Sequence, residues 1–378
     1  MLRSFIFAIA LGVTTHSIAA AQSKPFYVIG HMTNTVEAVD SALADGANAL
    51  EIDLKFEKDG DLDDFQHGFP CDCTCYIGAA ADPEICRKLA EGLSIPCNGD
   101  EDVDTMLNHI AKKPGVYLTI IDSKIGDLST ESQIEAGVNV VDAVVKELFK
   151  KGYTGSVIIG APSSKDHATY IESAMKRSKT HSRYENQFIF SYDMHTDPDE
   201  SKSAQTVLIG QSKNTGQRVA FGAGISACSP KGISDFRNIA RDVPDGFALN
   251  YSWTLDKPSS MKTLIDSGVN GIITNFPKSL KKVVDDERAK VSLATSAVSN
   301  PVFTTTKNAG IPGFNDRSIF NQSLRTCQQI CANDNSCKSV DFEREKGACY
   351  IQSVTKDTQT LKTDYPGNPY DHYELVRR

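Results

Sequence analysis

Ala49-Leu50-Glu51-Ile52-Asp53-Leu54 is the stretch on which the fold of this chain turns. As an extended strand it puts Leu50, Ile52 and Leu54 on one face and Glu51 and Asp53 on the other. A strand that carries two carboxylates into a core has to have a use for them, because burying charge without a partner is costly. Seven further short apolar or β-branched runs lie on either side of it: Phe26–Ile29, Val116–Ile121, Ser156–Ile159, Phe188–Ser191, Arg218–Phe221, Phe247–Tyr251 and Gly271–Thr274. Helical periodicity follows several of them, as in Thr35–Ala44, Gln133–Lys150 and Ser260–Asp266. Eight strands alternating with helices predict a parallel α/β structure closed as a TIM (β/α)8 barrel. A doubly wound open sheet is the alternative architecture. No GxGxxG follows the first run, which weighs against a dinucleotide site.

The 378 residues exceed one ordinary core, so a large barrel with a small second unit is an expected arrangement. Hydrophobic residues are 40% and charged residues 23% of the chain, the mix of an ordinary globular protein. Met1–Ala21 reads as a secretory signal. Arg3 precedes an apolar run from Phe5 to Val13, and Ala19-Ala20-Ala21 offers small residues for cleavage. That run is too short for a membrane anchor, and no later stretch reaches about 18 apolar residues. The protein is therefore expected to be secreted. Removing the signal, with one arginine and no acid, takes the net charge from −8 to −9. An acidic chain without a Lys/Arg block is not expected to bind nucleic acid.

Ten cysteines suit an oxidising compartment. Cys71, Cys73, Cys75, Cys86 and Cys97 crowd one segment, Cys228 stands apart, and Cys327, Cys331, Cys337 and Cys349 gather near the C-terminus. This division predicts two separately stapled modules. A zinc site built on Cys-x-Cys-x-Cys is the rival reading. Val291–Arg317, rich in Ser, Thr, Asn, Pro and Gly without clear periodicity, reads as the connection between them. The expected division is a signal at 1–21, a barrel at 22–304, a linker at 305–316 and a stapled α+β module at 317–378.

A barrel places its chemistry at the C-terminal ends of its strands. There the chain has Gly30-His31, then Glu51 and Asp53, then Asp122-Ser123-Lys124, then Ser252-Trp253, and finally Thr274-Asn275. His67 follows the second strand. Three carboxylate ligands suit a hard divalent ion such as Mg²⁺, completed by water and a phosphate. The plainer reading pairs these acids with Lys124 and Lys55 alone. Two histidines beside such a site suit phosphoryl transfer, one attacking phosphorus or taking a proton and the other protonating the leaving oxygen.

Gly30-His31-Met32, Gly46-Ala47-Asn48-Ala49-Leu50-Glu51-Ile52-Asp53 and His67-Gly68-Phe69-Pro70-Cys71-Asp72-Cys73 resemble the signature of the sphingomyelinase D family, the dermonecrotic phospholipase D group. The resemblance continues through Asp122-Ser123-Lys124-Ile125-Gly126, Gly224-Ile225-Ser226, Trp253-Thr254-Leu255-Asp256-Lys257 and Gly268 to Pro277, and covers roughly Pro25 to Phe303. Ala294-Thr295 and Asn300-Pro301 are similar to the tail that plugs the family's barrel floor. The resemblance implies His31 as nucleophile or general base, His67 as general acid, and Glu51, Asp53 and Asp122 as Mg²⁺ ligands. It also implies substrate contacts from Lys124, Trp253 and Asn275, and a Cys73–Cys228 bridge. Cys71, Cys75, Cys86 and Cys97 then form two more bridges of open connectivity. The implied reaction removes choline from sphingomyelin or lysophosphatidylcholine, at membrane surfaces or lipoproteins, leaving a cyclic phosphate. Such an enzyme is a lyase or transphosphatidylase.

Asn34-Thr35 and Lys58-Asp59-Gly60 look more like glycerophosphodiester phosphodiesterases of the wider superfamily, which makes that activity the alternative. Ala223, Ala227 and Ser252 depart from the venom pattern around the head group. The Cys327-x3-Cys331-x5-Cys337 spacing, with Phe342 and Cys349-Tyr350-Ile351, resembles a PAN/apple domain. That pattern implies Cys327–Cys349 and Cys331–Cys337 and a protein or carbohydrate ligand. A third reading is an inactive barrel that works through this module, and a fourth makes the module only a stabilising cap. Of two glycosylation sequons, Asn250 falls inside a strand and Asn321 is the expected site. The chain is expected to be a monomer.

Overall fold

The computed structural model describes residues 24–67, 100–126, 128–192, 198–224, 246–367 and 369–376. The expected signal at 1–21, the Cys73–Cys228 bridge and Cys71, Cys75, Cys86 and Cys97 lie outside the described residues.

Strands β1 (Lys24–Gly30), β2 (Ala49–Phe56), β3 (Leu62–Phe65), β4 (Glu101–Asp102), β5 (Leu118–Lys124), β6 (Ser156–Ala161), β7 (Phe188–Tyr192), β8 (Arg218–Gly224), β9 (Leu249–Trp253), β10 (Gly271–Thr274) and β11 (Val291–Leu293) form one sheet. Among the described residues, eight of these pair in parallel in the ring β1-β2-β5-β6-β7-β8-β9-β10. The pairing of Ile29 and Gly30 with Ala49 and Leu50 closes it. Ile29, Leu118, Ile120, Ile158, Ile189, Leu249, Tyr251 and Ile273 fill the interior, each worth about 1.5–3 kcal/mol when fully buried.

The outward sides of the strands pack on helices that start where capping chemistry allows. Thr35 accepts from the Ala38 amide ahead of Val36–Ala44, and Ser129 from the Ser132 amide ahead of Thr130–Ala143. Pro258 and Pro277 open two others as first-turn prolines. The helix expected over Gln133–Lys150 is present, with Val144–Phe149 continuing it in wider π turns. The antiparallel hairpin of β3 and β4 off β2 had no periodic signal in the sequence.

After β11, which pairs with the foot of β1, the chain turns under the barrel. Ala294 and Val298 join the interior cluster, and the Ala294 carbonyl accepts from Asn48 Nδ2 at 3.0 Å. Buried Arg218 holds the tail by donating to the carbonyls of Val298 (3.2 Å) and Ser299 (2.7 Å).

A second sheet comprises β12 (Phe303–Thr306), β13 (Arg317–Ile319), β14 (Ser339–Glu343), β15 (Ala348–Gln352) and β16 (Tyr370–Leu375), antiparallel in the order β12-β16-β14-β15-β13. Helix Leu324–Asn333 covers one face, joined to the strands by Cys327–Cys349 and to the segment that follows it by Cys331–Cys337. The stretch that read as a connection is thus largely structured. Val291–Leu293 is an edge strand of the barrel and Phe303–Thr306 an edge strand of this sheet. Edge strands solvated on one side carry polar residues, so Ser, Thr and Asn there imitate a loop. The helix also faces the barrel floor. Arg325 donates to Asn300 Oδ1 (2.7 Å) and Asn186 Oδ1 (2.6 Å), and Asn333 Nδ2 reaches the Phe247 carbonyl at 3.3 Å. Asn250 is buried within β9, whereas Asn321 is exposed in a left-handed turn with φ 59°.

Candidate active site

At the mouth of the barrel β2 and β5 run in register, with Asp53 beside Asp122 and Lys55 beside Lys124. Strand alternation turns Glu51 and Asp53 inward together. One oxygen from each of Glu51, Asp53 and Asp122 lies within 4.8 Å of the others. Glu51 and Asp53 are buried, and Asp122 Oδ1 is enclosed without a hydrogen-bond partner. Three converging carboxylates with an orphaned oxygen fit a hard divalent cation. Burial, reinforced by the neighbouring charges of Asp53 and Asp122, pushes the Glu51 carboxyl well above the usual carboxylate range. Such a carboxyl takes up a cation by releasing a proton.

Lys124 supplies the countercharge, its Nζ standing 2.8 Å from Asp53 Oδ1 and 2.6 Å from Asp122 Oδ2. Burial opposes its charge, but the two carboxylates outweigh burial and raise its pKa, so the ammonium persists. Burial also opposes the charge of Asp53. There Lys124, His67 and the Asn34 amide prevail and hold the carboxyl below its ordinary value. Lys124 therefore pairs with the acids as the plainer reading had it, whereas Lys55 turns away to Gln66 Oε1.

His31 follows β1 and is nearly enclosed. Its Nδ1 meets Asn275 Oδ1 at 2.8 Å, and Nε2 lies 3.5 Å from Thr254 Oγ1. Asp256 decides which way Asn275 points. It accepts from Asn275 Nδ2 (2.9 Å), from the Asn275 amide (3.0 Å) and from Thr274 Oγ1 (3.0 Å). With the NH2 of Asn275 committed to a carboxylate, its oxygen faces His31 and must accept. The His31 proton then sits on Nδ1, and the lone pair of Nε2 is available for chemistry. Asn275, expected to touch substrate, thus spends both ends of its amide inside the protein.

His67 is placed by β3, which doubles back along β2, and it lies close enough to influence Asp53 electrostatically. Trp253 is the last residue of β9 rather than a residue beyond it, and packs against the interior cluster. A Cβ on Gly224 would fall 1.8 Å from the Trp253 carbonyl oxygen, so only glycine lets β8 approach the tryptophan so closely. Thr254, Asp256 and Asn34 were quoted only within motifs and had no role in the site from sequence. Thr254 and Asp256 stand in the quoted Trp253–Lys257 motif, whose spacing was the available signal.

Residues 21–301 match the family model described as dermonecrotic toxin SPH. The chain belongs to that family. With membership in the dermonecrotic toxin family comes the phospholipase D class of enzyme activity. Dermonecrotic toxin SpeSicTox-betaIIA1 of Sicarius peruensis is 29% identical over 286 residues, covering 73% of this chain and 98% of the toxin. Dermonecrotic toxin LspiSicTox-betaIE1ii of Loxosceles spinulosa is 27% identical over 276 residues, 71% of this chain and 96% of its own. Among solved structures, a glycerophosphodiester phosphodiesterase from Parabacteroides distasonis shares 17% identity at a TM-score of 0.46, covering 70% of this chain and 99% of that one. Residues 302–377 match the PAN domain, so this dermonecrotic-toxin barrel carries a PAN module. Among the described residues, no helix is long and apolar enough to cross a membrane.

Proposed function

We propose that the protein is a secreted, Mg²⁺-dependent phospholipase D of the sphingomyelinase D type, removing choline from sphingomyelin or lysophosphatidylcholine. The observation that carries this reading is the convergence of Glu51, Asp53 and Asp122 beside a histidine with one nitrogen committed and the other available. Glu51, Asp53 and Asp122 would hold the divalent ion, which would supply positive charge to a phosphoryl group. Lys124 adds a second cation to the phosphate, stabilising charge that grows in the transition state. His31 Nε2 takes the proton from the substrate hydroxyl that attacks phosphorus, and His67 gives a proton to the departing choline oxygen. The phosphorus–choline bond breaks as the ring closes, so the products are choline and a cyclic phosphate, with no net proton change. Trp253 offers an indole face to the quaternary ammonium, worth about 0.5–2 kcal/mol.

Incubation with both lipids, with and without EDTA, followed by phosphorus NMR, should show metal-dependent choline release and a cyclic phosphate signal. If neither lipid is cleaved, the reading fails. Release of glycerol phosphate from deacylated lipids would instead favour the glycerophosphodiesterase reading, to which the Asn34 contact with Asp53 lends support. His31→Ala should abolish turnover under either. A catalytically silent wild type that still binds a ligand through the PAN module would favour the binding-protein reading.

In place of a barrel at 22–304, a linker at 305–316 and a module at 317–378, we set the boundary between the catalytic unit and the PAN module at 301–302, just ahead of the β12 strand. We assign that module a protein or carbohydrate ligand, and Asn321 as the glycosylation site.

A further inference from the structure

The loop that leaves β1 with His31 folds back over the carboxylates of β2. Met32, at φ 51°, donates its amide to Glu51 Oε2 at 2.6 Å. Thr33 donates its amide and hydroxyl to the Glu51 carbonyl, at 2.9 and 2.8 Å. Asn34 goes further, because it holds one residue at two points. Its Nδ2 donates to Asp53 Oδ2 at 2.7 Å, and its Oδ1 accepts from the Asp53 amide at 2.8 Å. Asn34 is only 2% exposed, so water cannot replace either bond. The other oxygen of Asp53, Oδ1, meets Lys124 Nζ at 2.8 Å, and one oxygen of this carboxylate lies within 4.8 Å of oxygens of Glu51 and Asp122.

We propose that Asn34 is a positioning residue for a divalent cation site, fixing the Asp53 carboxylate so that one oxygen stays turned toward Glu51 and Asp122. The inference rests on the reading of these acids as a metal site. A carboxylate on a strand can rotate about both side-chain torsions. Holding its Oδ2 and its own backbone N–H with a single amide removes that freedom before a cation arrives. Alanine at this position would release the carboxylate and leave the Asp53 N–H buried without an acceptor. Serine and threonine are too short to span the same two points, and aspartate would bring a second anion against Asp53. The side chain needed here is one short amide carrying a donor and an acceptor. The same loop carries His31, so the histidine and two of the three carboxylates, Glu51 and Asp53, are held by one four-residue connection.

The test is titration calorimetry of the full mature protein with MgCl2 alone, and with MnCl2 as a second probe, for wild type, Asn34→Ala and Thr33→Ala. Loss of a residue that orients a ligand commonly weakens metal binding about 10–100-fold, and that drop is expected for Asn34→Ala. Thr33→Ala, which removes a bond to a carbonyl and not to a carboxylate, should bind as wild type does. Binding by Asn34→Ala within twofold of wild type overturns the proposal while leaving the metal site standing. If wild type itself takes up neither ion, the metal reading fails, and the Asn34 assignment falls with it. Should Asn34→Ala not fold, the Asn34 side-chain NH2 signal of the wild type in nitrogen NMR serves instead. It should shift on Mg²⁺ addition, and an unmoved signal refutes the assignment.

Discussion

Asp256→Asn is the most informative single change, because it alters little volume and reaches His31 through Asn275. Among the described residues, Asp256 accepts hydrogen bonds from Thr274 Oγ1, the Asn275 amide and Asn275 Nδ2. The replacement side chain has one oxygen and one NH2. If the oxygen keeps the Thr274 hydroxyl and the Asn275 amide, its NH2 meets the NH2 of Asn275, donor against donor. Two buried donors in conflict cost about 1–3 kcal/mol each, enough to turn the Asn275 amide over. Asn275 then presents NH2 to His31 Nδ1, which can only accept, and the proton moves to Nε2. The lone pair proposed to take the substrate proton is gone. A serine protease histidine forced into the wrong tautomer loses about 10⁴-fold in kcat. Acting through one intervening amide, the loss here should be about 10³-fold, or about 4 kcal/mol of barrier. Choline release under saturating lipid gives kcat, and nitrogen NMR of the histidines reports which His31 nitrogen is protonated. Asp256→Ala, which frees Asn275 without forcing it over, should lose less. An Asp256→Asn protein within threefold of wild type, or one that keeps the proton on Nδ1, would refute the reasoning.

Two further outcomes concern the PAN module. Asp371 is buried and works against desolvation, but the Asn308 amide and the side chains of Arg344 and Lys307 hold its pKa at about 2. A depressed pKa adds stability above the unfolded value near 3.9 and loses it as pH falls through about 2. Asp371→Asn should therefore cost about 2 kcal/mol in denaturant unfolding at pH 7, and the gap to wild type should close between about pH 4 and 2. Arg325→Ala removes both bonds to Asn186 and Asn300. It should loosen the module from the barrel floor by about 2 kcal/mol, seen as faster protease cleavage near residue 302 with the lipid reaction unchanged.

The eight-strand barrel was legible in sequence because a parallel strand is buried on both faces and is written as a short continuous apolar run. The edge strands β4, β11 and β12, and β3 beside β4, were not, since a strand with a solvated face is written in loop residues. Much of the chemistry was legible too. Glu51, Asp53, Asp122 and Lys124 are polar residues on strands that would otherwise be aliphatic, and that contrast depends only on local composition.

What sequence determined by itself was the inventory and its order: which residue types stand at which strand ends, and that four late cysteines belong to a separate module. What only the tertiary structure decided was how those groups spend their hydrogen bonds. Asn275 is 244 positions from His31 in the chain, and the orientation of its amide depends on Asp256, 19 positions from it. Whether Asn34 binds Asp53 depends on how the loop after β1 lies over β2, and whether Arg325 meets the barrel floor depends on how the second module's helix packs there. Periodicity reports which face of an element is buried. It carries no information on which donor meets which acceptor across that face, because such pairings are set by the closure of the whole barrel.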